Sequence, residues 1–225
     1  MRAARTSALI ARMKIGILGT GDVGKALGKG FLALGHEVKM GAREASNEKA
    51  AAWVKESGAK ASQGTFADAA EFGEIVVLAT LGAANASVLQ ATGDKLKGKI
   101  LIDATNPLDF SKGFPPSLAI SGTDSGGEEV QRLAYGAHVV KAFNTVGNAL
   151  MFKPQMAGGP PTMFIAGDDA EAKKKVGSLL ADFGREVCDL GGIASSRYLE
   201  AMCMVWVLHA SKTGNWNQAF KMLKV

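Results

Sequence analysis

Two hydrophobic rhythms alternate along the chain. Short unbroken apolar runs exchange with longer stretches in which apolar residues recur three and four apart. The runs Ile15-Gly16-Ile17-Leu18, Ile75-Val76-Val77-Leu78-Ala79, Ile100-Leu101-Ile102-Asp103 and His138-Val139-Val140-Lys141-Ala142-Phe143 have the pattern of strands buried on both faces. Glu37-Val38-Lys39-Met40 and a short piece near Lys60-Ala61 complete a set of six. The helical stretches between them run from Asp22 to Leu34, where Gly35 stops the helix, and from Ala45 to Lys55, opened by Ser46 or Asn47. Others run from Thr65 to Phe72, from Ala83 to Lys97, and from a capping box at Ser125 and Glu128 to about Tyr135. Strand and helix alternating at this rhythm predict a parallel sheet with ligands at the carboxyl ends of its strands. Past residue 150 the texture changes. A strand at Pro161–Ala166 precedes a helix capped by Asp168 or Asp169 and running to Phe183. After Gly184 come a strand at Glu186–Leu190, a tight turn at Gly191-Gly192, a long apolar helix at Ser195–Ala210 and a short amphipathic helix at Trp216–Phe220.

The stretch from Lys14 to Arg43 carries the first chemical signal. Gly19-Thr20-Gly21-Asp22-Val23-Gly24 is a G-x-G-x-x-G turn that leaves a strand and opens a helix inside one βαβ unit, the context in which that spacing means dinucleotide binding. Gly19 permits the tight turn, Gly21 admits a pyrophosphate to the backbone, and Gly24 lets helix and strand pack closely. The helix N-terminus offers free N–H groups to the diphosphate. A βα turn that holds no ligand is the plainer alternative. The expected fold is α/β, a doubly wound, mostly parallel Rossmann sheet with a small helical C-terminal extension. Residues 1–12 are expected to be a disordered tail, 13–150 the dinucleotide-binding core, and 151–225 an extension packed on it.

At the end of the second strand stands Gly41-Ala42-Arg43, with no acid in the position that would bind a ribose 2′-hydroxyl. An arginine there favours a 2′-phosphate, hence NADP(H) over NAD(H). Two further segments fall at the strand carboxyl edge. One is Asp103-Ala104-Thr105-Asn106-Pro107-Leu108, where Asn106 either bonds a nicotinamide carboxamide or ribose or forms part of a plain Asn-Pro turn. The other is Asn144-Thr145-Val146-Gly147. Lys141, on a buried strand, is expected to snorkel or pair and is not read as catalytic. The face of Met202, Met204, Trp206 and Leu208 reads as core or subunit contact, with a wall for a second cofactor as the alternative.

Composition removes several function classes. The chain has 225 residues, is 47% hydrophobic and 21% charged, and carries a net charge of +5 spread without a basic stripe, which argues against nucleic acid as partner. The uncharged run Ile75–Gly93 is interrupted by Asn85, Ser87 and Gln90 and is expected to be a strand and helix, not a membrane span. Cys188 and Cys203 lack metal-type spacing and read as small core residues in a reducing, cytoplasmic compartment. His36 follows a helix-ending glycine and is expected to be a solvated cap. No Ser-x-x-x-Lys set with a tyrosine, no Cys–His dyad and no clustered carboxylates are visible, so catalytic side chains are not assigned. Oxidising an alcohol needs an acid or base. Hydride transfer between two stacked planar rings needs neither, which favours cofactor-to-cofactor transfer.

The glycine turn, Gly41-Ala42-Arg43, Asp103–Leu108 and Val140-Lys141-Ala142-Phe143-Asn144-Thr145 together resemble NADP oxidoreductases of the coenzyme F420-dependent family. They are similar as well to the cytosolic reductase domain of six-transmembrane metalloreductases. The resemblance spans Met13 to Val225 and implies a dimer. It implies NADPH on Gly19, Thr20, Gly21, Asp22, Val23 and Gly24, with the 2′-phosphate near Thr20 and Arg43, and Ala42 beside Arg43 is counted with the cofactor-binding candidates. The nicotinamide would lie near Ala79, Thr80, Leu81, Asn144 and Thr145; Asn106 and Pro107, at the same edge, are counted with the cofactor-binding candidates. A deazaflavin or flavin would stack opposite, near Asn144, Val146 and the Gly191-Gly192 turn. The family often has serine at the place of Ala42 and a further basic residue at that of Asn47, so Arg43 is left to hold the phosphate largely alone. Asn144 stands where dedicated deazaflavin reductases can carry histidine, which keeps a flavin or quinone-like acceptor open. A non-catalytic NADP(H)-binding sensor is the alternative from another class.

Overall fold

Strand residues alternate between two separate hydrophobic layers, and that alternation fixes the architecture. In the computed structural model, which describes residues 12–223, the chain forms β1 (Lys14–Leu18), α1 (Asp22–Ala33), β2 (Glu37–Ala42), α2 (Glu48–Ser57), β3 (Ala61–Thr65), α3 (Phe66–Phe72), β4 (Ile75–Leu78), α4 (Asn85–Thr92) and β5 (Ile100–Asp103). These are followed by β6 (Leu108–Asp109), β7 (Ser117–Leu118), α5 (Gly126–Leu133), β8 (His138–Lys141), β9 (Thr162–Ile165), α6 (Ala170–Asp182), β10 (Glu186–Asp189) and α7 (Ser196–Thr213). Ile15, Ile17, Ile75, Val77, Ile102 and Val140 point to one side, where they pack with Leu27 and Phe31 of α1, Trp53 of α2 and Val176 of α6. Their neighbours Leu18, Val76, Leu78, Leu101 and Val139 point to the other, against Ala69 of α3, Val88 and Leu89 of α4 and Val130 of α5. Helices on both faces force burial on both faces, which is why these strands lack a polar side.

The main sheet has the order β3-β2-β1-β4-β5-β8, and its five ladders are all parallel. This is the Rossmann arrangement, in which the chain reverses direction across the sheet between β1 and β4 and opens a crevice there. Close backbone approach shapes that region: a Cβ on Gly16 would lie 2.1 Å from the Ala69 carbonyl oxygen, so α3 sits on β1 only because residue 16 has none. Strands β9 and β10 form a separate parallel pair, joined to β8 by an antiparallel bridge from Lys141 to Ala166. Met163, Ile165 and Phe183 of this last third share the hydrophobic layer that holds Ile15 and Val140. Among the described residues no helix is long and apolar enough to cross a membrane, and Ile75–Gly93 is a buried strand, a 3-10 turn and α4.

Four expectations are corrected. The helix expected over Ala83–Lys97 begins as a 3-10 turn at Gly82–Ala84 and stops at Thr92, because Gly93 takes φ +58° and ends it. The third strand is five residues long instead of a short piece near Lys60-Ala61. Trp216–Phe220 is not a helix. It is drawn out along the molecule, with Gln218 exchanging hydrogen bonds with Trp206 and the Phe220 carbonyl accepting from Thr162 N. His36 is fully buried instead of solvated, and its Nδ1 accepts from Met13 N at 3.2 Å. The disordered tail expected at the start falls, up to Ala11, outside the described residues.

Burial pulls the His36 imidazole below its ordinary value of 6.5, so it folds neutral. The unfolded chain therefore takes up the proton first as pH falls. The stability this residue contributes is whole above about 6.5 and is lost on acidification toward the depressed folded value. Urea midpoints should fall from pH 7 to pH 5 in the wild type and fall less in His36→Gln; equal slopes would dismiss the residue as a source of acid sensitivity.

Candidate functional site

The crevice between β1 and β4 is a cavity of about 930 Å³. Its floor is the glycine turn. Gly19 takes φ +128°, and a Cβ there would lie 2.3 Å from the Ala79 carbonyl oxygen, while its N–H donates to Gly41 O at 3.0 Å. The turn is thus wedged between the ends of β2 and β4. Gly21 caps α1 with no side-chain hydrogen bond, and a Cβ at Gly21 would have no atom within 4 Å. Empty space at that one position, beside an uncapped helix N-terminus, fits a pyrophosphate resting on backbone N–H groups. Gly24 serves packing instead: its Cβ would come within 2.4 Å of the Gly19 oxygen.

Along one arm of the cavity stand Ala42, Arg43 and Asn47, then Thr65 at the end of β3 and Phe66 and Ala67 at the start of α3. Arg43 is exposed and makes no ion pair among the described residues, so its guanidinium is available to an anion. Asn47 is committed to α2, its Oδ1 accepting from Ala50 N at 3.1 Å. Along the other arm stand Ala79, Thr80, Leu81, Ala84, Ser87, Ala104 and Asn148. Gly82 lets this arm close on its neighbour, since a Cβ there would meet the Asn106 oxygen at 2.3 Å.

Of the residues singled out from the sequence, Gly19, Thr20, Gly21, Asp22, Val23, Ala42, Arg43, Ala79, Thr80 and Leu81 are brought together on this one cavity. Gly24, Asn106, Pro107, Asn144, Thr145 and Val146 lie outside its walls. The two asparagines hold each other: Asn106 Nδ2 donates to the Asn144 carbonyl at 2.9 Å, and Asn144 Nδ2 donates to Asn106 Oδ1 at 3.0 Å and to Leu199 O at 2.9 Å. Asn144 Oδ1 is buried with no partner. It follows Phe143, whose φ of +64° is a costly conformation for an aromatic residue and turns the chain sharply after β8. Beyond this loop, Gly147 rests on the Trp206 indole, which meets Trp216 at 5.4 Å between ring centres. Phe114 adds a third ring, 6.4 Å from Trp216.

Sequence reasoning placed a helix start at Thr65 but missed Thr65, Phe66 and Ala67 as cavity wall, because β3 (Ala-Ser-Gln-Gly-Thr) carries no apolar signature to mark it as a full strand of the sheet. Lys141, expected to snorkel or pair, does pair, but its partners in a buried charge cluster were not foreseen. Lys141 Nζ donates to Asp103 Oδ2 at 2.9 Å and to Glu200 Oε1 at 2.6 Å, all three being essentially without solvent access. Glu200 in turn accepts from the N–H groups of Gly126 and Gly127, both at 2.9 Å, at the start of α5. Although complete burial works against the ammonium, the Asp103 and Glu200 carboxylates hold its pKa above the ordinary lysine value. Burial pushes the nearby Cys203 thiol up to about 11, which leaves it inert. The two cysteines are free.

Comparison with known proteins gives a consistent set of relatives. The sequence profile of the family described as NADP oxidoreductase, coenzyme F420-dependent, matches residues 14–107. An F420-dependent NADP reductase of Methanothermobacter marburgensis is 31% identical over 200 residues, covering 84% of this chain and 88% of that protein. The crystal structure of a putative F420-dependent NADP-reductase from Arthrobacter sp. FB24 superposes with a TM-score of 0.88 at 41% identity, covering 94% of this chain and all of that one. Rat metalloreductase STEAP3 is 32% identical over 189 residues, and the chain spans 36% of its length.

Proposed function

The chain belongs to the NADP oxidoreductase, coenzyme F420-dependent family, and from that premise we propose that it moves hydride directly between NADP(H) and a deazaflavin or flavin-type acceptor. The observation that carries the proposal is the distribution of charge around the cavity. Its titratable side chains are Asp22 and Arg43, at the glycine turn and the end of β2. The arm formed by Ala79, Thr80, Leu81, Ala84, Ser87, Ala104 and Asn148 is neutral. Such an arm suits a reaction in which no proton has to be delivered to or removed from a substrate oxygen. NADPH bound there supplies the hydride. The residues of this chain bind and orient: the glycine turn takes the pyrophosphate, Arg43 the 2′-phosphate, and the Ala79–Leu81 segment the nicotinamide half. The aromatic group of Phe114, Trp206 and Trp216 gives a flat acceptor ring a surface beside the loop at Asn148. The exposed apolar residues Tyr198, Val205 and Leu208 of α7 support a homodimer, and two free cysteines support a reducing cytoplasmic setting.

Anaerobic stopped-flow oxidation of NADPH with F420, FMN and a soluble quinone tests the reaction. Single-exponential decay with at least one acceptor is expected, and no decay with any of them rejects the proposal. Arg43→Ala should weaken NADPH by about 1.5 kcal/mol, the low end for a charged hydrogen bond because the guanidinium is exposed and screened. That is roughly tenfold in Kd. NADH, with no 2′-phosphate, should bind the variant as it binds the wild type, and the NADPH penalty should shrink at high salt. Equal losses for both coenzymes in titrations would remove Arg43 from the phosphate.

A further inference from the structure

A line of buried hydrogen bonds runs from the cavity wall to the middle of the sheet. Thr80 Oγ1 donates to Asn85 Oδ1 at 2.9 Å, Asn85 Nδ2 donates to Thr105 Oγ1 at 2.8 Å, and Thr105 Oγ1 donates to Asp103 Oδ1 at 2.7 Å. Asp103 also accepts from Thr105 N at 2.9 Å, and its second oxygen is held by Lys141. Asn85, Thr105 and Asp103 are 2%, 3% and 0% exposed, so of the four only Thr80 reaches the cavity.

The carboxylate sets the polarity of the whole line. Ion-paired with Lys141, Asp103 can only accept, so the single hydroxyl proton of Thr105 goes to it. The Thr105 oxygen is then left to accept, and the group it faces on Asn85 must be the NH₂. That orientation turns the Asn85 carbonyl oxygen toward Thr80, whose own proton is spent on it. Thr80 therefore offers the cavity lone pairs and no donor. Bonds that all run in one direction toward a charge strengthen one another, which makes this oxygen a better acceptor than an isolated hydroxyl.

We infer that Thr80 selects and orients the nicotinamide half of the coenzyme by accepting a hydrogen bond from a donor on it, either the carboxamide N–H or a ribose hydroxyl. Asp103, Thr105 and Asn85 are positioning residues that enforce the acceptor role. The inference rests on the proposed coenzyme reading, and the same titrations separate the two: a wild type that binds no NADPH rejects both, whereas a wild type that binds while Thr80 proves silent rejects this one alone.

The experiment measures Kd for NADPH and for its 3-acetylpyridine analogue, in which methyl replaces the carboxamide NH₂, with wild type, Thr80→Val, Thr80→Ser, Thr105→Val and the double valine variant. Thr80→Val should weaken NADPH about three- to tenfold, the range of one neutral hydrogen bond, and Thr80→Ser should restore it. If the carboxamide is the donor, the wild type prefers NADPH over the analogue and Thr80→Val loses that preference. If a ribose hydroxyl is the donor, Thr80→Val weakens both coenzymes equally. Thr105→Val should weaken binding in the wild type and change nothing further in the Thr80→Val background, a non-additivity that general loss of structure would not produce. Should Thr105→Val fail to fold, the Thr80 series with the analogue decides alone. Full binding by Thr80→Val, or complete additivity of the two valines, overturns the inference.

Discussion

Replacing Gly21 with valine removes measurable binding of NADPH and NADH alike and leaves the fold standing. The substitution places two methyl groups in the one part of the glycine turn where a side chain meets nothing within 4 Å, the space proposed for the pyrophosphate. The backbone accepts the change, since Gly21 sits at φ −76°, ψ 179°, an extended conformation open to any residue. Held away from the turn, the diphosphate loses at least two charged hydrogen bonds to N–H groups, about 3 kcal/mol or more, hence upward of 100-fold in Kd. The folded state gives up no more than about 1 kcal/mol for a poorer helix cap. Gly24→Ala is the informative contrast. Its Cβ would press on the Gly19 oxygen at 2.4 Å, so the helix must shift on the strand and stability falls together with binding. Calorimetric titration and thermal melts of both variants check the distinction; Gly21→Val binding either coenzyme within tenfold of wild type would mean that the diphosphate lies elsewhere.

The parts of the molecule that were legible in the sequence are those whose cause is local or strongly periodic. β1, β4, β5 and β8 could be placed because burial on both faces leaves an unbroken apolar run. The glycine turn and Arg43 could be placed at one strand edge, where they line a single cavity, because their positions follow from backbone and from spacing to a strand end. β3 was only half visible: it is an edge strand of small and polar residues, and the cavity wall at Thr65–Ala67 went unseen with it. The segment Trp216–Phe220 has helical spacing, yet long-range contacts to Trp206 and Thr162 hold it extended. His36 reads as a surface cap, but the chain entering β1 at Met13 closes over it. The ion cluster is the extreme case. Asp103, Lys141 and Glu200 come from β5, β8 and α7, and no spacing rule links them before the fold does.

That cluster carries the largest expected effect on stability. Lys141→Met keeps the length and apolar stem of the side chain and removes its charge, leaving Asp103 and Glu200 buried on either side of a thioether. Breaking a buried ion pair in this way costs about 3–5 kcal/mol, because the partners keep their desolvation penalty and lose what offset it. A loss of that size is a large part of the 5–15 kcal/mol by which a domain is ordinarily stable. The penalty should also acquire a sign in pH. With the ammonium gone, burial and the neighbouring carboxylate raise the folded-state carboxyl pKa above its unfolded value, so the folded variant binds the extra proton. Its stability is then greatest in acid and is lost as pH rises through the raised value, which means the gap from wild type is wider at pH 8 than at pH 5. Adding Asp103→Asn and Glu200→Gln to Lys141→Met removes the uncompensated charge and should recover part of the loss: the amide oxygens can accept from Thr105 N and from one of Gly126 N and Gly127 N, which donate to different oxygens of Glu200. Urea unfolding of the three proteins at two pH values measures each term. A single variant within 1 kcal/mol of wild type at pH 8, or a triple variant no more stable than the single one, would show that Lys141 does not neutralise this part of the core.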